Sequence, residues 1–67
     1  MSDEALKALE KEVKKLRRIA SERASEVHDL VEDRLYSDYQ NLPDLAAATV
    51  AACQAWAEAE KQLKAMN

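Results

Sequence analysis

Apolar side chains recur through the first half of the chain at Leu6, Leu9, Val13, Leu16, Ala20, Val27 and Leu30, with Arg23 standing where the pattern asks for one more. The steps alternate between three and four residues, the spacing at which one stripe of an α-helix returns to the same face. Ile19, Ala24, Val31 and Leu35 widen the stripe into a heptad seam with a single polar interruption. A second stripe with the same alternation runs through Leu42, Leu45, Thr49, Ala52, Trp56, Ala59, Leu63 and Met66. The pattern predicts an all-α single domain over residues 1–67, with helix 1 over about 3–35, a turn over about 36–41 and helix 2 over about 42–66.

Local signals agree with these bounds. Ser2 or Asp3 can cap helix 1, and Asp3 and Glu4 favour the positive end of its dipole. Asn41 reads as the N-cap of helix 2, with Pro43 in its first turn and Asp44 as a capping-box partner. The alanines at 46–48, 51 and 52 favour helix and permit close approach of a neighbouring helix.

Two long helices joined by a short turn form an antiparallel hairpin. Its arms are unequal, roughly 50 Å and roughly 37 Å at 1.5 Å per residue. If Leu35 faces Leu42, residues before about Lys11 overhang, leaving Leu6 and Leu9 with nothing to pack on within one chain. Two helices also bury too little to be secure alone at this size. Assembly into a four-helix bundle, as a homodimer or homotetramer, is the expected solution, with Leu6, Leu9, Val13, Leu16, Trp56 and Leu63 at the interface.

Composition removes other classes. The chain has no glycine and one proline. Sheet proteins need several turns built on such residues, and the Rossmann and P-loop phosphate sites need glycine for close backbone approach. No 18-residue apolar run suggests a membrane span, and the charged start MSDEALKALEKE lacks the order of a signal peptide. A single cysteine, Cys53, cannot form an internal disulfide and fits a reduced thiol in the cytoplasm.

Several residues invite a chemical reading. His28 is the one histidine, and it lies four residues before Glu32 on the same helical face, beside an acidic stripe of Glu22, Glu26, Asp29 and Asp33. An imidazole and a carboxylate supply half a site for a divalent ion such as zinc or nickel, and a second copy can supply the rest. The alternative is a helical ion pair flanking the core seam. Cys53 falls near Ala24 in the hairpin arithmetic, about a turn from His28, and reads either as a further ligand or as small core filling.

Lys11, Lys14, Lys15, Arg17 and Arg18 form a basic run that can meet phosphates. The net charge of −3 and the interleaved Glu10, Glu12 and Glu22 disfavour nucleic acid. Arg23 on the seam either reaches outward or pairs with an acid of a partner. Tyr36 and Tyr39 sit in the turn as candidate partner-binding anchors, whereas Trp56 belongs to the seam. No nucleophile stands with a base, and Ser25 occupies the position three before His28 where a dinuclear bundle site would place a glutamate. No enzyme is expected.

The stretch VHDLVED, a short aromatic turn, then NLPDLAAAT and a second helix ending in KQLKAM resembles the Rop-like family of small helical hairpins found in nitrogen-fixation gene clusters of diazotrophic bacteria. The likeness spans Leu6 to Met66 and is most specific at His28-Asp29-Leu30, Glu32-Asp33 and Leu42-Pro43. The family's turn is usually Leu-Pro followed by polar residues and one aromatic, so Arg34-Leu35-Tyr36-Ser37-Asp38-Tyr39 is a variant. The resemblance implies an oligomerising antiparallel hairpin and a cytoplasmic role accessory to nitrogenase, with a nitrogenase-related protein as partner and cofactor-metal handling as its task. It also implies His28, Asp29 and Glu32 as ligands of a divalent transition metal, nickel or zinc. The likeness in name to a plasmid RNA-binding bundle transfers no RNA function. The expectation is a non-enzymatic accessory protein of nitrogen fixation that binds such a metal. A metal-free protein-interaction scaffold and an RNA-binding bundle are the alternatives.

Overall fold

The computed structural model describes residues 3–66, which form α1 (Asp3–Asp33), α2 (Leu35–Asp38), a 3-10 turn (Tyr39–Asn41) and α3 (Leu42–Met66). Among these residues there is no strand. The fold is a helical hairpin, as the two stripes predict, with α1 packed along α3. Asp3 and Glu4 occupy the first turn of α1, where carboxylates meet the positive end of the dipole. Ser2, the other cap expected there, lies outside the described residues.

The reversal departs from the expected turn. Helix 1 stops at Asp33, and residues 35–41 are themselves helical. Without glycine the chain has no cheap access to positive φ, and no described residue adopts it. Direction changes instead at Arg34 (φ −133°, ψ 21°) and Asp38 (φ −121°, ψ 11°), both near the sparsely populated bridge between the helical and extended regions. These two hinges hold each other. The Asp38 N–H donates to the Arg34 carbonyl at 2.8 Å, and Arg34 Nε donates to Asp38 Oδ2 at 3.1 Å. Ser37 Oγ donates to the same Arg34 carbonyl at 3.3 Å. Asn41, read as an N-cap, is instead the last residue of the 3-10 turn, and the Leu42 N–H donates to the Tyr39 carbonyl.

Burial follows the seams closely. Among the described residues Val13, Leu30 and Ala59 are the buried apolar ones, and Leu30 alone is enclosed almost completely, at 1% exposure. All seven apolar positions of the first stripe and all eight positions of the second are at least half-buried. Thr49, the polar member of the second stripe, donates from Oγ1 to the Leu45 carbonyl at 2.9 Å, so its hydroxyl is satisfied without a partner helix. Arg23 reaches outward and places Nη1 2.8 Å from Glu26 Oε1 of its own helix. Leu6 and Leu9, expected to overhang bare, are half-buried in the single chain.

Candidate interaction surface

A hairpin is a thin object, and its surface shows it. The molecule measures 52 × 14 × 11 Å, with a radius of gyration of 15.4 Å, whereas a compact domain of this length has about 11 Å. Its accessible surface is 5211 Å², against about 4,200 Å² for a compact monomer of 7.5 kDa. The excess, roughly 1,000 Å², is of the order each partner covers in a specific interface, about 800 Å². Leu6, Leu9, Leu16, Trp56 and Leu63 are half-buried on this seam and Val13 is buried beside them, so all six residues expected at an oligomer interface already share cover within the hairpin. Trp56 carries a polar oddity: its indole Nε1 is shielded from solvent and has no hydrogen-bond partner among the described residues.

The second feature is the hairpin tip. Tyr36 is 92% exposed, Tyr39 55% and Val31 46%, three of the four large hydrophobic side chains left open on the described surface. A cleft of about 400 Å³ runs along the tip, lined by residues 31–37. Sequence reasoning singled out both tyrosines from their place in the turn. It placed Asp38 in the turn but missed its pairing with Arg34, which falls within the span read as helix 1.

The candidate metal residues do come together, but not around one point. His28 Nε2 lies 3.0 Å from Glu32 Oε2, while Asp29 Oδ1 lies 3.6 Å from the other ring nitrogen, Nδ1. The two carboxylates therefore flank opposite edges of the imidazole. Among the described residues no group of three or more His, Cys, Asp or Glu side chains is disposed to hold an ion. One chain thus offers His28 with Glu32, two of the four positions of a tetrahedral site, on a face where the imidazole is 72% exposed. The arrangement matches a solvated i, i+4 pair. Cys53 is exposed rather than core filling, because it sits one position past the seam residue Ala52, about 100° around the helix. Lys11, Lys14, Lys15, Arg17 and Arg18 are all exposed, with Arg18 Nε 3.8 Å from Glu22.

No helix among the described residues is long and apolar enough to cross a membrane. No curated protein and no solved structure matches the chain. The family model that does match, over residues 4–67, is that of the Rop-like proteins. With a paired seam running the length of both arms and the match covering almost all of it, this chain belongs to the Rop-like family.

Proposed function

We propose that the protein is a small, non-enzymatic interaction module of the cytoplasm that works as a self-associated helical bundle. The observation that carries this is the surplus surface: a 7.5 kDa chain exposing 5211 Å² keeps its apolar seams half-open along both arms. A second hairpin laid on the seams would bury that surplus, at about 25 cal/mol per Å² of apolar area removed from water. Assembly as a homodimer is the economical form, and a homotetramer covers the same seams.

The finer reading is an accessory role in nitrogen fixation beside a nitrogenase-related protein, supported by the VHDLVED and NLPDLAAAT segments. Its metal-handling version, with nickel or zinc, is supported by the 3.0 Å approach of His28 to Glu32 and needs a second copy to supply the remaining ligands.

Sedimentation of Leu16→Asp beside the wild-type chain tests the central point. The wild type is expected to sediment as an oligomer at micromolar concentration. The variant, with a carboxylate placed on the half-buried seam, is expected to shift toward monomer with lower helicity. A wild-type chain that stays monomeric and helical at high concentration would end the proposal.

A further inference from the structure

Beyond assembling with itself, the protein carries a second surface, and we infer that the hairpin tip docks an arginine-bearing segment of a partner protein. This deepens the interaction role proposed above and does not depend on how many copies assemble. Tyr36 is 92% exposed, so its ring adds almost nothing to the packing of the hairpin. An aromatic side chain held in water at the apex of a fixed turn suits recognition better than folding. The turn is fixed: the Arg34 and Asp38 hinges are joined through backbone and side chains, and Arg34 lines the cleft together with Tyr36.

Charge selects the occupant. Asp29, Glu32, Asp33, Asp38 and Asp44 lie in the segments that run into and out of the tip, where Asp29 and Glu32 flank His28 and the one arginine, Arg34, is already paired with Asp38. Phosphate chains and anionic lipid headgroups are repelled by such a field; cationic protein segments are drawn to it. The acids are also placed against local helix preference. The last turn of α1 contains no base, and Glu32 and Asp33 sit at the negative end of the helix dipole. Residues that oppose their own element's stability mark positions kept for another purpose. Asp33 lines the cleft next to Tyr36 and has no ion-pair partner among the described residues. Arginine fits both: its planar guanidinium stacks on a tyrosine face while its fork pairs with a carboxylate, which the compact lysine head cannot do as well.

The test is a titration of isotopically labelled protein with a short amphipathic peptide of arginine and leucine, beside lysine and glutamate versions. The arginine peptide is expected to shift amide resonances of residues 31–39, with lysine weaker by severalfold and glutamate silent. Tyr36→Ala and Asp33→Asn are each expected to weaken binding by about tenfold while the sedimenting mass stays unchanged. Asp33→Asn should at the same time raise the melting temperature slightly, a combination that a purely structural role for this carboxylate does not produce. Equal binding of the glutamate peptide, no shift with arginine, or shifts confined to the helix seams would overturn the inference. A change in oligomer mass on Tyr36→Ala would overturn it too, by giving the tip to a second copy. An oligomer that fails to form while the tip still binds arginine would remove only the self-association proposed above.

Discussion

At the scale of single residues, position on the seam decides more than residue type. Cys53 and Ala52 are neighbours in sequence, yet one is exposed and the other half-buried, because a step of one residue turns the helix by about 100°. The sequence register already placed Ala52 on the stripe and Cys53 beside it. Only the habit of treating a lone cysteine as core filling pointed the other way. His28 stands on the solvated face, and its contact with Glu32 joins two side chains that are both mostly exposed. Such a pair contributes little, roughly 0.5 kcal/mol or less after solvent screening. His28→Ala is therefore expected to leave helicity and oligomer mass intact, with a small loss in urea midpoint. Native mass spectra with added zinc or nickel, taken on both proteins, check the metal-free reading. Whole ions bound per pair of chains, and lost in the variant, would replace the scaffold with a metal carrier.

Trp56 weighs two effects at one residue. A shielded indole N–H without an acceptor costs about 1–3 kcal/mol, and the ring's half-burial offsets it. Trp56→Phe removes the orphan donor together with some apolar area, so its unfolding free energy is expected to stay within about 1 kcal/mol of the wild type. Trp56→Ala, which loses the whole ring, should cost about 2–3 kcal/mol, below the range for a fully buried tryptophan. Chemical denaturation of the two variants side by side gives the comparison. Equal losses would mean that the missing hydrogen bond carries no penalty.

At the scale of elements, the two long helices were legible because burial imposes a period, and alternating steps of three and four record it. The reversal was legible in part: the span 36–41 contains Asp38 but not Arg34. Turn prediction leans on glycine, proline, asparagine and aspartate, and in a chain without glycine the bend falls on Asp38, inside that span, and on Arg34, a good helix former ahead of it. What makes them hinges is their mutual bonding, which becomes visible only once the chain has turned. Arg34→Ala removes the side-chain half of that link and leaves the backbone bond. Since the pair is partly exposed, at 50% and 36%, the expected loss is about 0.5 kcal/mol. Hydrogen exchange should localise the effect, with faster exchange at residues 37–42 and little change at Leu30. Uniformly faster exchange along α1 and α3 would show that the tip holds the whole hairpin together.

At the scale of the molecule, charge is distributed unevenly along the rod. Lys7, Lys11, Lys14, Lys15, Arg17 and Arg18 outnumber Asp3, Glu4, Glu10 and Glu12 over residues 3–18, while five acids face one base, Arg34, around the tip. Two hairpins that join their open seams can lie tip to tip or tip to tail. The first brings two acidic tips together and the second sets each tip against the basic stretch of its neighbour, so electrostatics favours the antiparallel arrangement. Both tips then stand at opposite ends of the assembly. A spin label on Gln40→Cys in a Cys53→Ser background reads the choice directly. The antiparallel dimer predicts a label separation of about 50 Å, set by the 52 Å length of the hairpin. The parallel one predicts roughly 20 Å, about two helix spacings. Salt gives an independent check: screening should weaken the antiparallel dimer and strengthen the parallel one. A short separation together with salt-strengthened association would mean that seam packing overrides the charge pattern, and that the two acidic tips meet as one surface.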